Sequence, residues 1–460
     1  MIDKKAPFLT LRPSVLALCL AVLAVPAFAQ TASVPTQQEV DQAFRDVLAN
    51  AGSVEAHSKY ATLLVRSGNY EGGIAALEGL LLGADAPPSI RLELGVLYYR
   101  LGSYAASESY LRAALADPRL DPGQASQAQS LLREVEQRNR SSQLSGSVML
   151  GVRGQSNPTG ASDNDLVYYQ GVAVPRAKDG GAKSDTDTQI WGKLDHVLDL
   201  DKQNEASIVT SLVVFANHYN SVSSYSVQPG STKPFDIAIL AGSTGLRFKP
   251  SPSDNPGLRI RPHLLFGSAS ANGNGYFTVG GLGIDGDYRS SETLVWGGTL
   301  ESSRLSFSSR DDIANSALQG GNRQLLRLNA TVETAANQFL MGELGYVDHD
   351  GNAAYTGFRG PQARLSYVVS YASPFSATGL PWSTTVSGSG QQRDYRGADP
   401  AVDARTTRKD TEWRWSLVQS IPLARSLDLQ MQLEYTNNAS NLPNYGYTNS
   451  SGTLGVIWKY

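Results

Sequence analysis

The chain ends Ser450-Ser451-Gly452-Thr453-Leu454-Gly455-Val456-Ile457-Trp458-Lys459-Tyr460. Its even positions, Gly452, Leu454, Val456, Trp458 and Tyr460, are small, apolar or aromatic. The odd positions Thr453, Gly455 and Lys459 are small or polar, and Ile457 is the exception. A period of two marks a β-strand with one greasy face. A soluble sheet rarely leaves a Trp-x-Tyr edge at a free end. In a membrane barrel such a strand pairs with the first one, and the Tyr460 ring takes a place in the interfacial aromatic girdle.

The same period recurs upstream. Leu144, Gly146, Val148, Leu150 and Val152 alternate with Ser145, Ser147, Met149, Gly151 and Arg153. Alternating stretches follow at 190–200, 206–216, 235–243, 258–266, 276–284, 294–302, 324–332, 340–346, 363–371, 382–392, 413–423 and 427–435. With the first and last strands this gives 14, an even number, as closure with both ends on one side requires. The clearest strand sets Leu427, Leu429, Met431, Leu433 and Tyr435 against Asp428, Gln430, Gln432, Glu434 and Thr436. That pattern predicts lipid on one side and a wet lumen on the other. Short connections (201–204, 285–290, 335–337, 424–426) alternate with long ones (155–187, 217–233, 303–322, 394–410, 437–447), as periplasmic turns alternate with outer loops. Two presumed periplasmic turns, 249–257 and 373–381, are long and carry prolines. A soluble solenoid or sandwich accounts less well for the two-sided polarity and for the aromatic ends at Trp382, Trp413, Trp415, Trp458 and Tyr460.

Residues 37–138 obey a different rule. Leu63, Arg66, Gly68, Tyr70 and Leu77 recur 34 positions later as Leu97, Arg100, Gly102, Tyr104 and Leu111. Thirty-four residues is the tetratricopeptide period. Gly68 and Gly102 fall where a first helix must turn, and Tyr70 and Tyr104 open the second. Pro87-Pro88, then Pro118 and Pro122, break the chain between units. Two repeats bury too little, so flanking helices at 37–51 and 123–138 are expected to complete the stack. The alternatives are a bare spacer or a concave surface that grips a periplasmic protein.

The N-terminus has the form of a secretion signal. Lys4, Lys5 and Arg12 precede an apolar run over 15–25 and the site Ala27-Phe28-Ala29. The expected division is a signal at 1–29, a periplasmic helical domain at 30–140 and an outer-membrane barrel at 141–460. The only cysteine, Cys19, lies in the signal, so the mature chain has no disulfide and no thiolate metal site. A net charge of -3 without a basic stripe argues against nucleic acid as a partner.

Nothing points to covalent chemistry. The five histidines, His57, His196, His218, His263 and His349, show no paired metal spacing, and His349 reads as a solvated loop residue. There is no Walker motif and no G-x-S-x-G elbow, and Gly280-Gly281-Leu282-Gly283 reads as strand glycines. The chain is expected to be no enzyme and to need no cofactor. By alternation the lumen receives Arg153, Lys193, Asp195, Arg259, Arg261, Arg327, Glu343, Arg364, Glu412, Arg414, Asp428 and Glu434. These form either a mutually paired network or a path for charged cargo. His196 falls on the lipid face, which implies a bulge or a phase error in that strand.

Several short motifs resemble one family. They are residues 146–151 followed by Gln155-Ser156-Asn157, then Arg359-Gly360-Pro361, then Ser440-Asn441-Leu442-Pro443 with Tyr445 and Tyr447, and finally Trp458-Lys459-Tyr460. With a cleaved signal, periplasmic repeats and a 14-stranded barrel, the chain resembles the surface lipoprotein assembly modulator family. The resemblance implies a barrel that helps specific secreted proteins or lipoproteins to reach or cross the outer membrane. The repeats would engage the client or its periplasmic chaperone. The terminal aromatic resembles the C-terminal signature of outer-membrane proteins, which implies recognition by the barrel-assembly machinery. The competing readings are an exopolysaccharide export porin and a diffusion porin with an accessory repeat domain.

Overall fold

In a computed structural model of the chain, the described residues are 35–460 without 51, 82–85, 201–205, 221–235, 253, 312, 314 and 376–378. The expected signal, Cys19 and the turn at 201–204 lie outside them.

Six helices come first: α1 (Gln37–Ala49), α2 (Val54–Arg66), α3 (Tyr70–Leu81), α4 (Pro88–Arg100), α5 (Tyr104–Leu115) and α6 (Pro122–Arg138). Their starts are capped in the sequence. Thr36 and Glu39 form a capping box on α1, Ser53 caps α2, and Asp121 caps α6. Pro88 and Pro122 both sit in the first turn of a helix, where a missing N–H costs nothing. The 34-residue repeat is visible bond by bond. At one turn Ser67, Gly68 and Asn69 donate backbone N–H to the carbonyls of Leu63, Val65 and Leu64. At the next, Leu101, Gly102 and Ser103 donate to Leu97, Tyr99 and Tyr98. Gly68 and Gly102 hold φ of +86° and +76°, a region that side chains avoid. Leu77 and Leu111, also 34 apart, are both fully buried, each in one of two neighbouring apolar clusters. The flanking helices differ slightly from expectation: α1 stops at Ala49, and α6 opens one residue early on Pro122.

Three residues after α6 the chain becomes sheet. The strands are β1 (Ser142–Gln155), β2 (Leu166–Tyr169), β3 (Val172–Pro175), β4 (Asp185–Asp199), β5 (Ala206–Tyr219), β6 (Ile237–Phe248), β7 (Leu258–Ala271) and β8 (Asn274–Arg289). They continue as β9 (Leu294–Phe307), β10 (Gly321–Ala335), β11 (Gln338–Gly351), β12 (Phe358–Tyr371), β13 (Trp382–Ala398), β14 (Thr407–Ala424), β15 (Leu427–Ser440) and β16 (Tyr447–Lys459). Fourteen of them close an antiparallel barrel in the order β1-β16-β15-β14-β13-β12-β11-β10-β9-β8-β7-β6-β5-β4. β2 and β3 form a separate hairpin within the first long connection, an element absent from the sequence reading.

Most strands run beyond their expected limits. β8 continues to Arg289, so the turn expected at 285–290 lies at 290–293. β4 opens at Asp185, β13 reaches Ala398 and β14 opens at Thr407, inside stretches expected to be loop. At the far end from the helices, β7 and β8 meet in a two-residue Asn272-Gly273 turn with φ of 49° and 78°, the positive pair that a tight hairpin demands.

The closing seam is the shortest pairing of the barrel. β1 and β16 share nine register pairs, from Ser147 with Lys459 to Gln155 with Ser451, whereas β1 and β4 share fourteen. Gly151 faces Gly455 and Gly154 faces Gly452, so two positions of the seam contribute no side chain. Gly146 and Tyr460 exchange backbone hydrogen bonds of 3.2 Å and carry the ladder to the last residue.

Cross-strand partners share a face, so the register sorts every side chain. The outward face is apolar: Leu282, Leu344 and Leu433 are each more than 60% exposed. Aromatic rings mark two levels on it. Tyr288, Trp296, Tyr371, Trp382, Trp458 and Tyr460 lie toward the helix-bearing end; Phe266, Tyr346, Trp413 and Tyr435 lie toward the far end. Along β15, Leu427 opposite Trp458 and Tyr435 opposite Trp415 mark these levels. Eight residues span roughly 27 Å along a strand, or about 20 Å after the tilt of barrel strands.

Candidate functional site

The lumen is the candidate site. Arg153, Lys193, Asp195, Arg259, Arg261, Arg327, Glu343, Arg364, Glu412, Arg414, Asp428 and Glu434 all lie on strand faces opposite the exposed apolar side chains. Most are paired. Arg153 grips Asp187 through two nitrogens, each at 3.0 Å, and Asp187 is fully buried. Lys193 meets Asp195 at 2.7 Å, and Ser211 donates to the same carboxylate at 2.6 Å. Arg259 pairs with Asp287 at 2.7 Å and Arg261 with Asp285 at 3.0 Å. Arg327 lies 3.8 Å from Glu343. Glu412 receives Arg393 at 2.7 Å and Arg414 at 3.2 Å, and Arg414 reaches Glu434 at 3.7 Å. Asp428 binds Lys459 and accepts from Ser420 at 3.0 Å. Arg364 stands opposite Glu343 in the register without an ion pair among the described residues.

Half of these partners were missing from the sequence reading. Asp187, Asp285, Asp287, Arg393, Arg408, Asp410 and Lys459 face inward, and most sit where a strand outruns its apolar alternation. The signal was available. Asp185, Asp187 and Gln189 alternate with Thr186, Thr188 and Ile190 and continue the phase of β4.

Two histidines need correction. His349 is no solvated loop residue: it lies within β11, faces inward and is 6% exposed. Its Nε2 meets the Gln319 carbonyl at 3.0 Å, which ties the segment between β9 and β10 to the wall. His196 needs neither a bulge nor a phase change. The β1–β4 register is unbroken, and His196 stays outward near the helix-bearing end, 2.9 Å from Ser142 Oγ. His263, singled out by no motif, is almost sealed in the wall, between Asp285 at 3.2 Å and Glu301 at 3.6 Å. Gly283 makes its room, since a Cβ there would stand 2.4 Å from His263 Nε2. Among the described residues no group of His, Cys, Asp and Glu is placed to hold a metal ion.

Toward the far end the lumen holds a chamber of about 540 Å³. Its wall carries Arg323, His349, Phe358, Gln391, Arg393 and Tyr395. Arg408 closes one side, bound to the buried Asp410 at 2.6 Å and lying 3.5 Å from the ring centre of Tyr445.

The helical part offers a second surface. Gly68, Tyr70, Gly102 and Tyr104 set its two turns. Tyr70 Oη reaches Glu292 Oε1, in the turn between β8 and β9, at 3.5 Å. Tyr104 stacks beneath the Arg138 guanidinium at 5.8 Å. Between the hairpins Tyr98 and Tyr110 stack at 5.4 Å and both donate to Glu78, at 2.8 and 2.9 Å. Burial, then that carboxylate, pushes the Tyr98 phenol up to about 12.

No protein-family model matches the chain, and no curated protein is significantly similar to it. Solved structures do share the barrel form. A TodX deltaS2S3 mutant, a monoaromatic hydrocarbon channel, aligns at 11% identity and a TM-score of 0.36, over 69% of this chain and 90% of its own. OprB of Pseudomonas putida aligns at 10% and 0.34, over 74% and 98%. The anion-selective porin of Comamonas acidovorans aligns at 9% and 0.32, over 70% and 99%. Similarity at this level says nothing of what this chain does.

Proposed function

We propose that this chain is an outer-membrane barrel that assists specific secreted proteins or lipoproteins to reach the cell surface. Its helical repeats, read as tetratricopeptide-type, engage the client or its chaperone in the periplasm. The outward belt supports the membrane reading: a transmembrane barrel presents an apolar band about 25 Å tall between aromatic girdles, and the belt between the two aromatic levels is of that size. No helix among the described residues is long and apolar enough to cross a membrane.

The join between the two parts carries the functional reading. α6 ends at Arg138, β1 opens at Ser142, and Gln143 Nε2 donates to the Arg138 carbonyl at 2.6 Å. The repeats are thus fastened to the first strand, and a client bound there is held at the lumen's near mouth. No covalent step is required, and client folding outside supplies a driving force where ATP is absent. Deleting the gene and shaving intact cells with protease, followed by mass spectrometry, is expected to reveal loss of one or a few surface proteins and their build-up in the periplasm. Full-length chain restores them; chain lacking residues 35–140 does not. An unchanged surface proteome would sink the reading. The aromatic chamber favours a second one, export of an extracellular polysaccharide, whose loss with intact surface proteins would take precedence.

A further inference from the structure

The far chamber holds one row of neighbouring side chains with a guanidinium at one end and aromatic rings at the other. Arg323 is the register partner of His349, His349 of Phe358, and Phe358 of Tyr395. Ring centres are 5.7 Å apart from His349 to Phe358 and 5.6 Å from Phe358 to Tyr395. The three guanidinium groups that line the chamber are not equivalent. Arg393 is held by Glu412 at 2.7 Å and Asn438 at 3.1 Å. Arg408 is held by Asp410 and by two tyrosine rings. Arg323 makes no hydrogen bond or ion pair among the described residues, although it lines the same cavity. Arg323 is exposed to the chamber, and a carboxylate is the partner its planar fork fits. The adjoining rings of Phe358 and Tyr395 offer faces on which a flat or pyranose ring stacks. Asp399 also lines the chamber, accepts from Ala401 N at 2.9 Å and has no cation paired to it among the described residues, so a second negative charge on the ligand is disfavoured.

We propose that this chamber is a binding site for a ring-bearing monocarboxylate. The carboxylate sits on Arg323 and the ring lies against Phe358 and Tyr395. The site is independent of the export reading, because it needs only the folded barrel.

The test uses the purified full chain in detergent, with titration calorimetry and saturation-transfer NMR. The probes are benzoate and glucuronate, with benzyl alcohol and acetate as the halves of the chemistry. Saturable binding of benzoate identifies an aromatic acid as the source, and binding of glucuronate an acidic sugar. Either supports the site, provided that benzyl alcohol and acetate bind at least about tenfold more weakly. Losing one charge-assisted contact, Arg323→Gln is expected to weaken binding by about tenfold or more, and Phe358→Leu to weaken it less. Arg359→Gln, the neighbouring outward residue, leaves it unchanged. Heat-modifiable gel mobility checks that each variant is folded. The proposal falls if neither carboxylate binds saturably to folded wild-type chain, or if folded Arg323→Gln binds as wild type does.

Discussion

Single residues set the helical part more tightly than composition suggests. Tyr98 donates to Glu78 and stacks on Tyr110, and its phenol ionises only near 12. An unfolded phenol ionises near 10. Between those values the unfolded chain gives up a proton that the folded helices retain. The Tyr98 contribution is therefore full below about pH 10 and is lost as the pH rises toward 12. Thermal melts followed by the helical far-UV signal are expected to fall across that window in wild type and to fall less in Tyr98→Phe. At this scale the sequence carried both members of some ion pairs, such as Lys193 with Asp195 and Arg327 with Glu343, and one member of others. Arg153, Arg259, Arg261 and Asp428 were legible because their neighbours along the strand are apolar. Asp187, Asp285 and Asp287 lie near strand ends, where polar residues or glycine interrupt the outward apolar face and the phase is hard to follow, whereas Lys459 was in phase between Trp458 and Tyr460 and was left out of the lumen set. His349 was misplaced for the same reason, since β11 runs to Gly351 past the last outward aromatic, Tyr346.

At the scale of elements, period two locates every strand of the barrel but not its ends. Hydrophobic alternation reports only the portion of a strand that faces an apolar medium on one side. Hydrogen bonding continues beyond it, through Asp185-Thr186-Asp187 in β4 and Arg393 to Ala398 in β13. The β2–β3 hairpin was missed because both strands are four residues long, too short for a period to show. The membrane reading makes a prediction on β15. Met431 faces outward midway between Leu427 and Tyr435, and its neighbour Gln432 faces the lumen. In a bilayer Met431→Arg is expected to cost about 2–4 kcal/mol, measured by urea titration of folding into liposomes, with Gln432→Arg close to neutral. Equal effects of the two would place water on both faces.

For the whole molecule, the even strand count, the side of the termini and the change from helix to sheet near residue 140 were all readable, because each depends on a pattern many residues long. That the last strand pairs with the first was readable too, but the register of that seam was not, since it joins strands at opposite ends of the sequence. That seam orders assembly in time. Gly452 faces Leu433 within the β15–β16 hairpin and Gly154 across the seam, at separations of 19 and 298 positions. Bringing the distant pair together costs about 2 kcal/mol more in chain entropy, and the two facing glycine pairs return little for it. With Cys19 as its only native cysteine, the chain admits introduced pairs as reporters. During refolding, Leu433→Cys with Gly452→Cys is expected to crosslink early and Gly154→Cys with Gly452→Cys late; simultaneous crosslinking would contradict that order. Until the late step the nascent sheet has two open edges, one of them joined to the helices, and that interval is when an assembling barrel is most exposed to mispairing and to proteases.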